Sequence, residues 1–323
     1  MMDSIISLTT TIAPYFLCGY LFSRLDTDLT LWFYEKFGKR ISTLKGKTVW
    51  IVGASSGIGE HLAYVLAAHG VKLALSGTRE AKLQEVKQKC LQLNSRLSEN
   101  DILVIAFDVT DIDNHEGRVQ TVFSHFNGLD ILVNNAGRTQ RAEFQNTDIK
   151  VDRDMFDTNV FGLIVISRLA CKRWYEKGVG GQIVVTSSTA GKCGAPFSCT
   201  YTATKHALHG YFEGLRLEAY SRGIRVTLVL PGPVHSEILE KSYTDSLDKK
   251  STERHSPTSR RMATSRCAYL MAVAIVNQLS EAWISIHPVL LFHYLYQYFP
   301  SITMWLAPKI LTKDRIMKIR EGN

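Results

Sequence analysis

Thr48-Val-Trp-Ile-Val52-Gly53-Ala-Ser-Ser-Gly57-Ile-Gly59 reads as an apolar strand that turns through glycines into a helix. Helical periodicity begins at Ile58 and continues through Leu62, Ala63, Val65, Leu66 and Ala67. Missing side chains at Gly53, Gly57 and Gly59 permit a tight turn and close approach of a diphosphate. The free N–H groups opening the helix attract phosphate. On this reading Gly53, Ser55, Ser56, Gly57, Ile58 and Gly59 cradle a dinucleotide. Any strand-to-helix turn can need glycine, so the assignment depends on the rest of the chain.

Beyond Ala67 the chain alternates. Apolar strands are predicted at 71–75, 102–107, 131–133, 182–186 and 224–230, with a further edge strand at 282–289. Helices are predicted at 82–97, 115–126, 159–174, 201–221 and 268–279. Such alternation argues for parallel βαβ units and a sheet covered on both faces. Asp108 ends the third strand, where an adenine would lie. A capping role before Thr110 is its plain structural alternative.

Composition narrows the function. A chain of 323 residues with 45% hydrophobic and 21% charged content is a folded globular protein. Its net charge of +8 is modest, and without a recognition motif or aromatic-basic interleaving, nucleic acid is not an expected partner. The basic stretch Arg254 to Arg266 reads as a solvated loop or one near anionic headgroups. Six cysteines show no Cys-x-x-Cys pair and ten histidines no zinc-hydrolase pair, so no metal site is expected. The polar run Ser236 to Arg266 follows Pro231-Gly-Pro233 at a strand's carboxyl end, which suits a substrate lid.

Ser4 to Ser23 carries no charge over twenty residues, and as a helix would reach about 30 Å, the thickness of a hydrocarbon core. Residues 1–24 are therefore expected to be a retained membrane anchor. A cleaved signal or a surface-docked helix are the alternatives. Arg24, Lys36, Lys39 and Arg40 follow the apolar stretch and no basic residue precedes it, which predicts a cytoplasmic catalytic domain. Residues 25–46 are expected to form a juxtamembrane segment lying on the domain or the membrane, 47–289 the catalytic domain, and 290–323 a hydrophobic C-terminal extension.

Tyr201 and Lys205 stand one helical turn apart in Tyr-Thr-Ala-Thr-Lys, thirteen residues after Ser188. Both can point into one cleft. The ammonium is expected to lower the tyrosine pKa, with Ser188 holding a substrate oxygen against the phenol. Alone, such a pair is usually a half-buried tyrosine beside a solvated lysine.

Taken with the glycine loop, Asp108, Asn134-Asn-Ala-Gly137, Asn159 and Pro231-Gly-Pro-Val-His-Ser236, the pair resembles the short-chain dehydrogenase/reductase family across about 47–289. Asp28-Leu-Thr-Leu-Trp32, Thr264-Ser-Arg-Cys267, Trp283-Ile-Ser285 and Tyr294-Leu-Tyr-Gln-Tyr298 extend the resemblance to one branch of that family over nearly the whole chain. The resemblance implies a single-domain α/β Rossmann fold, a doubly wound parallel sheet with helices on both faces. It makes Tyr201 the general acid/base, Lys205 the residue that holds the nicotinamide ribose, Ser188 the substrate-orienting hydroxyl, and Asn159 the support of a proton relay. Asp108, Val109, Asn135, Ala136, Gly137, Pro231, Gly232, Val234 and Ser236 fall at cofactor positions. It also implies a lipophilic carbonyl or alcohol substrate of retinoid or steroid type, an endoplasmic reticulum membrane location, and a possible homodimer.

Two departures matter. Val52-Gly53 replaces the family's usual Thr-Gly, losing a hydroxyl that would support the loop. After the second strand comes Ser76-Gly-Thr-Arg79, with no acidic residue to grip a ribose diol. Relatives that use the phosphorylated cofactor often carry arginine where Thr78 stands; the adjacent Arg79, with no carboxylate to repel a phosphate, favours NADP(H) over NAD. The rival reading is a catalytically silent scaffold of the same fold that binds cofactor, lipid or partner proteins. Such a scaffold would not need Asn159, Ser188, Tyr201 and Lys205 in register.

Overall fold

The computed structural model describes residues 19–236, 238, 242–249 and 260–310. Seven strands form one parallel sheet in the order β3-β2-β1-β4-β5-β6-β7. They are β1 (Thr48–Val52), β2 (Lys72–Gly77), β3 (Ile102–Ala106), β4 (Ile131–Asn134), β5 (Gly181–Thr186), β6 (Ile224–Pro231) and β7 (Glu281–Ile284). Strand order reverses between β1 and β4, so the crevice for a ligand opens there, at the carboxyl ends of the strands.

Period-2 alternation along β1 divides the core into two layers. Val49 and Ile51 pack with α2 (Gly57–Ala68), α3 (Glu80–Leu93) and α8 (Thr264–Val276). Trp50 and Val52 face α4 (His115–Phe126), α6 (Gly162–Glu176) and α7 (Cys199–Ala219). The two fully buried indoles find acceptors, as buried polar groups must. Trp50 Nε1 donates to Ser76 Oγ at 2.9 Å and Trp174 Nε1 to the Leu129 carbonyl at 2.6 Å.

Two elements differ from the sequence expectation in ways that shape the site. The helix expected at 159–174 is the last part of a longer run: α5 (Ile149–Phe156), a π-helical turn (Asp157–Phe161), then α6. Asp148 caps α5 by accepting from Lys150 N–H. The charged run Asp152-Arg-Asp154 hides the apolar face (Val151, Met155) from a periodicity reading. The edge strand expected at 282–289 ends at Ile284. Beyond it 286–289 turns to line the central cavity before α9 (Val289–Tyr298), and α10 (Pro300–Ile310) follows.

Residues 26–44 lie against the domain. Within α1 (Leu29–Phe37), Leu31 is fully buried. Asp28 caps α1 through Leu31 N–H and also accepts from Trp283 N–H at 2.6 Å. Arg266 on α8 pairs with Asp26 at 2.8 Å and Glu35 at 2.5 Å. These contacts tie the segment to β7 and α8.

The membrane assignment requires correction. Most of the apolar stretch 4–23 lies outside the described residues, which begin at Gly19. Among the described residues no helix is long and apolar enough to cross a membrane. The longest, α7 with 21 residues, carries Lys205, Glu213, Arg216 and Glu218. The apolar α9 and α10 have 10 and 11 residues, short of the roughly 20 that a span requires. The expected membrane partner, endoplasmic reticulum location and cytoplasmic orientation, drawn from that apolar stretch and from the family resemblance, have no described helix to carry them, and they are withdrawn.

Candidate active site

A cavity of about 860 Å³ runs along the carboxyl ends of the strands, from Arg79 and Asp108 at one end to Ser188 and Tyr201 at the other. Its floor is the turn between β1 and α2. Gly53 there has φ +95°, and a Cβ on it would stand 2.6 Å from Ala136 N. Gly57 has φ +62°, and a Cβ there would meet only Ser236 Cβ, in ordinary contact at 3.5 Å. Side-chain-bearing residues rarely adopt either backbone. Support that a threonine before Gly53 would have given comes from elsewhere: Gly53 and Ala54 N–H both donate to the Ser76 carbonyl at 2.8 Å, and Asn135 Nδ2 donates to the Gly53 carbonyl at 2.8 Å. Thr186 Oγ1 donates to Asn135 Oδ1 at 3.0 Å, so β1, β4 and β5 are stitched together beneath the cavity.

Ser55, Ser56 and Ile58 line the same wall, with the amino end of α2 facing the cavity. That cradle, together with the residues beyond it, suits the diphosphate of a dinucleotide. At the far end Arg79 Nη2 donates to the Ser55 carbonyl at 3.1 Å. Asp108 Oδ1 accepts from both N–H and Oγ1 of Thr110, at 2.9 and 2.8 Å. Asp108 thus closes a local turn while Val109 beside it lines the cavity. Asn135, Ala136 and Gly137 form one side; Pro231, Gly232, Val234 and Ser236 form the other. Val234 is pinned there by a bridge to Met262.

Gly59 and Asn159 do not line the cavity. A Cβ on Gly59 would meet the Gly53 carbonyl oxygen at 2.1 Å, so Gly59 lets the helix close on the loop. Asn159 is fully buried in the π-helical turn, and such bulges recur at functional sites. Its amide is fixed on both sides: Oδ1 accepts from Arg138 N–H at 2.7 Å, and Nδ2 donates to the Arg138 carbonyl at 2.9 Å and Thr204 Oγ1 at 3.0 Å. A Cβ on Gly137 would lie 3.2 Å from Asn159 Oδ1 and 3.5 Å from Lys205 Nζ. Gly137 therefore leaves open the space between those two groups.

Tyr201 and Lys205 share one face of α7. Lys205 Nζ lies 5.6 Å from the centre of the Tyr201 ring and donates to the Thr186 carbonyl at 2.9 Å. Ser188 accepts from Ala190 N–H at 3.1 Å, and its hydroxyl reaches the Tyr201 phenol. Burial disfavours the charged form of each group. It pushes Lys205 down to about 8 and raises Tyr201 above its ordinary value, while the Ser188 contact and the Arg141 charge pull Tyr201 partly back. The expected lowering of the tyrosine by Lys205 is thus reversed: desolvation is the larger effect.

Sequence reasoning missed Thr186 and Thr204, whose oxygens hold Lys205 and Asn159; neither carries a motif of its own. It also missed Arg138 and Arg141, which line the substrate end. Their position directly after Asn134-Asn-Ala-Gly137 was the available signal.

Residues 47–247 match the family pattern described as short chain dehydrogenase. The chain belongs to the short-chain dehydrogenase family. It is 41% identical over 303 residues to the mouse dehydrogenase/reductase SDR family member 7, covering 93% of this chain and 88% of the mouse protein. That is the branch to which the motifs at 28–32, 264–267, 283–285 and 294–298 pointed. It is 35% identical over 250 residues to 11-beta-hydroxysteroid dehydrogenase 1A of Arabidopsis thaliana, covering 75% and 68% of the two chains. A solved short-chain dehydrogenase from Streptomyces avermitilis superposes with a TM-score of 0.66 at 24% identity, over 82% of this chain and 98% of that one, and so shares its fold. As a member of this family the protein is an NAD(P)-dependent oxidoreductase.

Proposed function

We propose that this short-chain dehydrogenase reduces lipophilic aldehydes or ketones with NADPH and catalyses the reverse alcohol oxidation. The observation that carries the reading is the convergence of Ser188, Tyr201 and Lys205 at one end of a cavity that holds Arg79 at the other. Ala195, Ile238, Ile286, Pro288 and Val289 give the cavity apolar surface suited to a retinoid- or steroid-like skeleton. Similarity to a plant enzyme named as an 11-beta-hydroxysteroid dehydrogenase supports the steroid class.

When bound, the nicotinamide supplies the hydride. The protein's part is placement and proton transfer. The Ser188 hydroxyl orients the substrate oxygen towards Tyr201, and the Tyr201 phenol delivers a proton to that oxygen as negative charge develops on it. Lys205, held by the Thr186 carbonyl, places a positive charge behind the phenol. Asn159, with its amide locked by Arg138, lines the route by which Tyr201 is reprotonated through Lys205.

Because Lys205 titrates at about 8, it is charged below that pH and neutral above it. Tyr201, raised by burial, stays protonated over the same range. Reduction is therefore expected to decline as pH rises through about 8, and a profile flat to pH 10 would count against the role of Lys205. The reading as a whole is tested by a panel of lipophilic carbonyls with NADPH and NADH followed in parallel. Absence of turnover with every carbonyl would favour the silent-scaffold alternative.

Arg79 is the basis for preferring NADPH. Arg79→Ala is expected to weaken NADPH by roughly 1.5–3 kcal/mol, the worth of a charge-assisted contact to the ribose phosphate. NADH has no such group and should be little affected. Equal changes in the two dissociation constants would remove Arg79 from the account.

A further inference from the structure

Directly beneath the turn that carries Ser188 lies a chain of polar side chains, buried at Ser187 and His209 and partly exposed at Glu213, Glu281 and Lys192, that the proposed chemistry does not use. Ser187 is 2% exposed, and its Oγ lies 3.0 Å from His209 Nε2. On the other side of the ring, His209 Nδ1 lies 3.3 Å from Glu213 Oε1 and 4.0 Å from Glu281 Oε2. Lys192 completes the cluster, 2.9 Å from Glu281 and 3.8 Å from Glu213. Trp283 Nε1 holds the second Glu281 oxygen at 2.5 Å. The turn itself is packed on this chain. A Cβ on Gly191 would stand 2.5 Å from Ser187 Oγ and 2.9 Å from His209 Nε2.

Geometry settles which nitrogen carries the proton. Nδ1 faces two carboxylates, so it is the donor. Nε2 is then an acceptor, and the Ser187 hydroxyl donates to it. We infer that His209 is a positioning residue of the active site. Its neutral ring accepts from Ser187 and so fixes the segment 186–191, which supplies both the Thr186 carbonyl under Lys205 and the hydroxyl of Ser188. The inference rests on the catalytic roles proposed for Ser188 and Lys205, but its structural half does not depend on turnover.

The charges facing the ring are Glu213 on its own helix, Glu281 on β7 and Lys192 after the Ser188 turn. His293 on α9 adjoins Cys193 and Trp283 at the edge of the cluster. Burial chiefly, and Lys192 secondarily, hold His209 below its ordinary value against the pull of the two carboxylates. A proton on Nε2 would remove the acceptor, so the arrangement fails only as pH falls through that lowered value, below the ordinary histidine range, and holds above it.

Three variants of the full chain test this: His209→Leu, His209→Gln and Ser187→Ala. The amide oxygen of glutamine can accept from Ser187 without titrating. His209→Leu is expected to lower kcat about tenfold while leaving the NADPH dissociation constant within about threefold. His209→Gln should recover most of that loss and lack the wild-type decline at acid pH. Ser187→Ala should resemble His209→Leu, and the double variant should be no worse than either. In the cofactor-free protein, amide hydrogen exchange across 186–192 should quicken in His209→Leu and Ser187→Ala. If His209→Leu does not fold, the other two variants carry the same comparison.

Wild-type turnover within twofold in Ser187→Ala, an acid decline retained in His209→Gln, or unchanged exchange across 186–192 would each overturn the inference. A wild type without turnover would overturn the catalytic assignments instead, and the exchange comparison would still decide the position of the segment.

Discussion

Tyr201→Phe is expected to fold, to bind NADPH with little change, and to lose a hundredfold or more of its carbonyl reduction. Phenylalanine keeps the ring that packs beside Lys205 and removes only the hydroxyl that Ser188 reaches. General-acid catalysis by a positioned side chain contributes about 10²–10⁴ in rate. A hundredfold loss is about 2.7 kcal/mol of transition-state stabilisation, near the upper end of what a single charge-assisted contact provides. Comparing kcat with the cofactor dissociation constant separates this from misfolding, because an unfolded variant loses both. Near-normal turnover would mean that another group protonates the substrate oxygen.

Gly53→Ala should do the reverse, leaving the catalytic side chains in place and destroying the floor on which the cofactor lies. At φ +95° an alanine is strained, and its Cβ would fall 2.6 Å from Ala136 N and 2.7 Å from Ala136 Cα. These are backbone atoms just beyond the end of β4 and cannot swing aside as a side chain would. Backbone strain of about 1–3 kcal/mol and overpacking of a similar size together predict a loss of about 2–6 kcal/mol. Gly57→Ala serves as the control. It shares the positive φ but meets nothing closer than Ser236 Cβ at 3.5 Å, so only the strain remains. Denaturant midpoints and NADPH affinities for the two variants should rank in that order. Equal effects would show that backbone strain alone sets the requirement for glycine.

Much of this architecture is legible in the chain because continuous apolar runs and glycine punctuation are local signals. Residues 48–52 read as the first strand and form β1, and the helix predicted at 115–126 forms α4 with those bounds. Legibility fails where tertiary partners decide. The π-helical turn at 157–161 and the early start of α5 depend on packing against α7 and on the Arg138 backbone, and no periodicity records either. Motif spacing brings Ser188, Tyr201 and Lys205 to one place but misjudges their electrostatics. A sequence shows that a lysine is near a tyrosine; it does not show that Lys205 is buried and Tyr201 half-buried, and desolvation outweighs their attraction here. The membrane assignment fails for a related reason. Apolar length and the family resemblance carried it, and no described helix supplies that length without charge. Thr186, Ser187 and His209 escape a sequence reading because their significance lies in which backbone carbonyls and hydroxyls meet beneath the Ser188 turn.

The most direct test of the central claim follows the hydride itself. Purified protein would be mixed with NADPH deuterated at the transferable position of the nicotinamide and with a lipophilic ketone or aldehyde that supports turnover, and the product analysed by mass spectrometry. The wild type is expected to yield an alcohol carrying one deuterium on the former carbonyl carbon, formed at least about a hundredfold more slowly by Tyr201→Phe. Alcohol formed without deuterium, or labelled alcohol formed equally fast by both proteins, would contradict this mechanism.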